Sequence, residues 1–202
     1  MRKFLLLTMT LILLAGCSAP FRITDRPTYG VIDQFKNKYQ PQDKIKLVID
    51  QKTKELRLTK GPSDLVGAAT TYDFNIGEAF SGHLTELFNS VFINTTNSPL
   101  TVNVKIDSCN ISYANAMVHI LAWSEIDMAI TTTFYAADKQ IKMSTSQYHS
   151  RIDIPFSERV YGAQPDRAVV TAIDEIIDQL LSDILKNKSI LQPTTDRTRT
   201  EG

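Results

Sequence analysis

Cysteine is almost absent from this chain, which carries only Cys17 and Cys109. A disulfide framework is excluded once Cys17 is otherwise engaged, so the fold has to rest on a hydrophobic core. Histidine is nearly as scarce, with His83, His119 and His149 as the three. None of them stands in a His-x-x-x-His or His-Glu-x-x-His spacing and no Cys-x-x-Cys occurs, so neither a metal site nor a cofactor is read from the sequence. Gly-x-Ser-x-Gly, Ser-x-x-Lys and a glycine-rich phosphate loop are missing, which removes common signatures of acyl transfer and nucleotide chemistry. Charge of one sign is not in excess, since Lys plus Arg and Asp plus Glu both number 22. Without a basic field, nucleic acid is not an expected partner. No apolar run approaches the ~20 residues that cross a hydrocarbon core as a helix.

What is present is enough apolar material, 43% of the residues, to build a core and to exclude wholesale disorder. The chain opens with Met1-Arg2-Lys3, continues through apolar Phe4 to Leu14 interrupted by Thr8 and Thr10, and arrives at Ala15-Gly16-Cys17. A basic start, a short apolar run and small residues are the pattern of a secretory signal. Leu14-Ala15-Gly16-Cys17 resembles the lipobox of bacterial lipoproteins; the competing reading is an ordinary signal peptide. The resemblance implies that residues 1–16 are cleaved and that Cys17 becomes the N-terminus. It would carry S-diacylglycerol on its sulfur and an N-acyl chain such as palmitate on its amine. Cysteine suits the reaction because its thiolate is a strong nucleophile, and several chains are needed because one alone anchors only marginally. Ser18, rather than Asp, follows the cysteine. By the enterobacterial sorting rule this implies the outer membrane, facing the periplasm, rather than the inner one. Loss of Arg2 and Lys3 leaves 20 basic against 22 acidic side chains, a formal charge of −2.

Residues 17–43 are polar and rich in turn formers (Pro20, Pro27, Gly30, Pro41), and read as a lipid-anchored tether, with an arm packed along the domain as the alternative. Residues 44–190 read as a single domain. Ile45–Ile49 and Leu56–Leu58 are expected as short strands around a polar turn, and Gly61–Thr71 as loop. A helix starts at Asn75, read as N-cap with Glu78 three places on. Ile76, Ala79, Phe80, Leu84, Leu87, Phe88, Val91 and Phe92 recur on one helical face, expected to cover a sheet rather than to meet a partner or lipid. Three long strands follow. In the first, Val102, Val104 and Ile106 share a face before the alternation changes phase to Cys109, Ile111 and Tyr113, as a bulge near Asp107 or Ser108 would produce. In the second, Val118, Ile120, Ala122, Ile126, Met128, Ile130 and Phe134 face inward, opposite His119, Glu125, Asp127 and Thr131. Ala136–Lys139 is a turn, and the third strand runs from Ile141 to Pro155. In a last helix Val169, Ile173, Ile176, Ile177, Leu180, Ile184 and Leu185 face the core, with Asp174, Glu175, Asp178 and Asp183 outside. Residues 191–202 form a polar tail without expected order. The sum is an α+β fold, a mainly antiparallel sheet with two helices packed on one face, a two-layer sandwich.

Val102–Ile106, Ser124–Ile130, Tyr148–Ile154 and the acidic helix Asp166–Ser189, together with the lipobox, resemble the YajG-type family of bacterial lipoproteins. The resemblance spans residues 44–190, rests on strand and helix pattern with few diagnostic side chains, and fades in the N-terminal third. It implies fold and address; the family's biochemical role is largely undefined, and no catalytic motif carries over.

Candidate chemistry is thin. His83 reads as a surface partner of Glu86 or as helix-edge packing. His119 and His149 could meet across strands, but Glu125 and Asp127, which could serve acid/base chemistry or Ca²⁺, ordinarily just form the wet face of a sheet. Cys109 is either a reactive thiol or a small buried residue, the second being preferred. Leu121 and Trp123 are apolar residues on a polar strand face, either an exposed patch or covered by the N-terminal arm. The resulting expectation is a non-enzymatic envelope protein held to the membrane through Cys17. Its contact surface would be His119, Leu121, Trp123, Glu125 and Asp127, offered to an envelope protein partner. The alternative is an accessory subunit of a transport system, binding lipid or a cell-wall fragment in a cavity lined by Phe80, Leu84, Phe88 and Met128.

Overall fold

The computed structural model describes residues 18–21, 23–28, 30–39, 44–61, 71–114, 121–155 and 164–188. Cys17, His119, the expected signal at 1–16 and the expected tail at 191–202 lie outside these. The elements in chain order are β1 (Ser18–Phe21), α1 (Val31–Lys38), β2 (Lys44–Ile49), α2 (Gln51–Lys54), β3 (Leu58–Lys60), β4 (Thr71–Phe74), α3 (Ile76–Val91), β5 (Ile93–Asn94), β6 (Leu100–Ala114), β7 (Leu121–Ala136), β8 (Lys139–Pro155) and α4 (Gln164–Lys188).

The main sheet has the order β5-β2-β6-β7-β8. Its three long strands pair antiparallel, while β2 runs parallel to both β5 and β6. This is the expected mainly antiparallel α+β arrangement. The bulge also falls where the alternation changes phase: Ile106 pairs with Ile130, Ser108 with Ala129, and Asp107 is the extra residue. One added residue turns Val102, Val104 and Ile106 before it and Ile111 and Tyr113 after it toward the same core. Lys105 Nζ binds Asp107 Oδ1 at 2.6 Å and Thr131 Oγ1 donates to the other carboxylate oxygen. Together they hold the Asp107 carboxyl below its ordinary range, Lys105 contributing most.

Helices α3 and α4 cover the apolar face. The expected stripe of α3 is buried throughout, with Phe80, Leu84, Leu87 and Phe88 each 0% exposed. Where β2 stops, Asp50 caps α2 by accepting from the Lys52 and Thr53 amides. Thr53 Oγ1 in turn accepts from Ile106 N at 2.8 Å, continuing the ladder that β2 leaves unfinished.

The N-terminal segment differs from the tether expectation. Strand β1 begins at Ser18 and pairs parallel with β4, which pairs antiparallel with β3 in a separate three-stranded sheet. Strand β4 was hidden within and beside the expected loop, and the second short strand lies at Leu58–Lys60, not in the main sheet. Past β1, Ile23 is 1% exposed. Asn75 occupies the N-cap position, but its side chain makes no cap hydrogen bond. Its Oδ1 instead accepts from Ile23 N at 2.8 Å and its Nδ2 donates to Ile23 O and Glu78 Oε2, so one amide side chain stands in for another residue of strand pairing. Helix α1 then lies on α3 with Phe35 buried.

Two features of α3 admit this arm. A Cβ on Gly82 would lie 2.1 Å from Asp25 O, a clash with backbone, so only glycine permits the approach. The next residue, His83, is fully buried. Its Nε2 meets Thr24 O at 3.0 Å and its Nδ1 meets Asp174 Oδ1 at 2.6 Å, while Thr28 N donates to Asp174 Oδ2 at 3.2 Å. A carbonyl only accepts, so Nε2 is the donor to Thr24 O, and the other ring nitrogen faces the carboxylate. This corrects two expectations: His83 is not a surface partner of Glu86, and Asp174 does not face solvent.

Two stability outcomes follow from this packing. Asp174→Ala leaves a buried imidazole without its partner and should cost about 3 kcal/mol in urea unfolding, with earlier proteolysis around Thr24–Thr28. In the hairpin turn, Ala137 (φ 47°) and Asp138 (φ 65°) both adopt left-handed backbone, which suits a two-residue turn but strains alanine. Ala137→Gly should therefore stabilise by roughly 0.5–1 kcal/mol; an unchanged or lower denaturation midpoint would contradict this.

Candidate functional site

Ser124, Ile126 and Met128 of β7 are each 0% exposed, so the intervening Trp123, Glu125 and Asp127 point to the uncovered face. The pairing with β8 places Asp153 opposite Trp123, Arg151 opposite Glu125 and His149 opposite Asp127. Three carboxylates, one guanidinium, one imidazole and one indole thus share a patch across two strands. The Arg151 guanidinium lies 4.8 Å from the Trp123 ring centroid. It reaches Glu125 Oε2 at 3.5 Å and Asp153 Oδ1 at 3.6 Å. His149 Nδ1 lies 2.8 Å from Asp127 Oδ1 and 4.0 Å from Glu125 Oε1. Trp123 is half-buried, and what lies over its ring is Arg151; the N-terminal arm packs on the helices.

The structure therefore brings together Trp123, Glu125 and Asp127 of the expected surface and adds Arg151 and His149. His119 is outside the described residues, as is its expected meeting with His149, and of Leu121 only the backbone place at the start of β7 is described. Pairs of this kind contribute little to stability, ~1 kcal/mol or less each at such exposure. The donor atoms of Glu125, Asp127 and His149 lie within 4.8 Å of one another, a set that could accept a borderline divalent cation. The imidazole is hydrogen-bonded to Asp127, and Glu125 is shared with Arg151.

The remaining titratable groups are placed differently. The His83–Asp174 pair is closed to solvent and has both ring nitrogens engaged. Phe80, Leu84, Phe88 and Met128, the expected cavity lining, are each 0% exposed within one continuous core. A groove of about 340 Å³ runs instead between α1, α4 and β8, and is polar, lined by residues such as Lys38, Tyr148, Asp178 and Lys186. There Lys38 Nζ meets Asp178 at 2.6 Å and Tyr39 Oη donates to the same carboxylate at 2.8 Å, tying α1 to α4. Tyr148 Oη donates to Asp183 at 3.1 Å; its hydroxyl is pushed up to about 12, mainly by burial. Among the described residues no helix is long and apolar enough to cross a membrane.

Cys109 packs against the core from the bulged strand. Burial, with a smaller contribution from Asp127, pushes its thiol up to about 12. A raised value keeps the group as thiol at neutral pH, so its nucleophilic form is scarce until the pH approaches that value. At pH 8 the folded protein should react with a disulfide reagent at least about 100-fold more slowly than the urea-unfolded chain. Equal rates would show an open thiol.

No protein-family model matches the sequence, and no curated protein does. Among solved structures, a Xanthomonas campestris protein of the DUF330 family is similar to 87% of this chain over 99% of its own length, with 10% identity and a TM-score of 0.49. A minor lipoprotein from Acinetobacter baumannii shares 11% identity over 72% of this chain and 92% of its own, with a TM-score of 0.40. Rare lipoprotein B from Shewanella oneidensis shares 13% identity over 75% of this chain and 100% of its own, also at 0.40.

Proposed function

We propose that this protein is a lipid-anchored component of the bacterial envelope, whose non-catalytic domain contacts an envelope protein partner through its open sheet face. The observation that carries the reading is Leu14-Ala15-Gly16-Cys17 at the end of a basic and then apolar N-terminal run. Acylation of Cys17 would supply the membrane attachment, and Ser18 after it favours the outer membrane, facing the periplasm. The surface around Trp123, Glu125 and Asp127 supports a binding role. Its charges contribute little to stability, and a half-exposed tryptophan with a stacked arginine is a common kind of interface anchor. The transport-subunit alternative has less support, because the four side chains that would line its cavity are closed in the core.

Crosslinking in intact envelopes, followed by capture of the wild type, Cys17→Ala and Trp123→Ala/Arg151→Glu, tests this. One protein partner should be captured with the wild type and be lost, or reduced about tenfold, with the double variant. Cys17→Ala should move the protein to the soluble fraction. If Cys17→Ala still pellets with membranes, the anchor is wrong; if the double variant captures the same partner undiminished, the surface is wrong; co-purifying lipid in place of a protein favours the alternative.

A further inference from the structure

We propose that two copies of this chain pair edge to edge along β8, antiparallel about a two-fold axis at Thr145, joining two five-stranded sheets into one. The inference goes beyond the proposed use of the open face, which such a dimer would leave uncovered. Strand β8 is last in the sheet order, and among the described residues only β7 pairs with it. Residues of an antiparallel pair alternate between those that bond across the pair and those whose main-chain groups point away. Two side-chain contacts show which are which. Thr132 Oγ1 of β7 donates to Ser144 O at 3.4 Å, so the Ser144 carbonyl faces β7. The His149 carbonyl accepts instead from Gln179 Nε2 of α4 at 3.1 Å. The odd-numbered residues therefore present N–H and C=O to the outer edge. Along that edge His149 is taken by α4, and Ile141 is the extra residue where the register shifts, since Phe134 pairs with Lys142 and Tyr135 with Gln140. Between them stand Met143, Thr145 and Gln147, all exposed, in a five-residue run with neither charge nor proline. A strand edge of that kind is a template for a further strand.

A second copy fits because two separate elements are self-complementary about one axis. On β8, a two-fold axis at Thr145 sets Met143 opposite Gln147 of the copy and Thr145 opposite itself. The outward groups of all three residues are then used, in about six hydrogen bonds. Moving the axis one residue either way would bring in the bulged Ile141 or the occupied His149. On α4, Asp178, Ser182 and Lys186 follow at four-residue steps and line the groove beside β8. An axis at Ser182 sets Asp178 against Lys186 of an antiparallel copy, with a small side chain at the crossing; the two charged side chains are 32% and 72% exposed. The groove carries two lysines and two aspartates, so a copy brings no net repulsion. The two axes share a height. Helix α4 meets β8 at Glu175–Ser150, Asp183–Tyr148 and Asn187–Lys142, which puts Ser182 over the middle of that strand span, close to Thr145. Because α4 lies over both β7 and β8 and strands are ~4.8 Å apart, the two α4 helices would stand ~10 Å apart, a normal packing distance. An isologous two-fold contact of this form closes on itself and stops at the dimer.

Full-length Thr145→Cys, Met143→Cys and Gln147→Cys proteins, oxidised with copper–phenanthroline in intact cells, test the register. Thr145→Cys should give a disulfide-linked dimer, because residues paired across two strands lie within bonding reach. Gln147→Cys alone should give at least about tenfold less, since it would sit ~14 Å from its own copy. Co-expressing Met143→Cys with Gln147→Cys should restore the dimer. Adding Lys186→Glu to Thr145→Cys brings acids together on α4 and should reduce linking about fivefold. Equal linking of Thr145→Cys and Gln147→Cys would mark random collision and overturn the pairing, as would the absence of linked dimer in every variant. Linking indifferent to Lys186→Glu would overturn the shared axis. None of these readouts uses Trp123 or Cys17, so the dimer stands or falls apart from the function proposed above.

Discussion

The inner face of β6 and β7 is mainly apolar, and keeping water from it is the constraint on which the rest of the molecule depends. Helix α4 lies over β7 and β8, and α3 shields the remainder with a phenylalanine-rich stripe. Covering the sheet gives α3 a second task, because a helix apolar over so much of its circumference is not itself covered by one sheet. The N-terminal arm closes the exposed flank with Ile23 and Phe35. Gly82 lets the backbone of the arm come within contact, and His83 with Asp174 fixes it between α3 and α4. The arm is therefore a third piece of the core, and its first described residues, Ser18–Phe21, are already paired in a sheet.

The parts of this arrangement that were legible in the sequence are those that repeat. Sixteen residues of α3 and twenty-five of α4 give several turns of consistent apolar spacing, and strands of fifteen to seventeen residues give many alternations, so even a single bulge at Asp107 shows as a change of phase. Strand β4, with four residues, and β1, with as many, offer no such repetition, and each is held by a partner about fifty residues away. Asn75 misled for a related reason: its position was that of a cap, yet a side-chain amide satisfies a strand edge as readily as a helix end. Asp174 misled because a carboxylate in an acidic helix ordinarily faces water, and its partners, His83 and the Thr28 amide, belong to distant segments.

The open face shows a further limit. Counting back from the two-residue turn would place Tyr148 opposite Asp127, and the core-facing tyrosine would then seem to belong outside. The register shifts between Phe134 and Tyr135, which moves His149 opposite Asp127 and Arg151 opposite Glu125. A one-residue slip exchanges the two faces of a strand, so the cluster that forms the candidate surface could not be assembled from composition alone, although Trp123, Glu125 and Asp127 were visible as its β7 half.

At the hairpin end of the open face Ile141 and Met143 are 47% and 63% exposed, large apolar side chains of β8 that the core does not take. Toward the other end of the same strand stand His149 and Arg151 with their carboxylate partners. The uncovered face of β8 thus passes from apolar to charged along its length, and a binder laid across it would meet two chemistries in a fixed order. On the anchoring proposed above, confinement to a surface would raise the effective concentration of such an encounter, so contacts individually worth little could still hold a partner in one register.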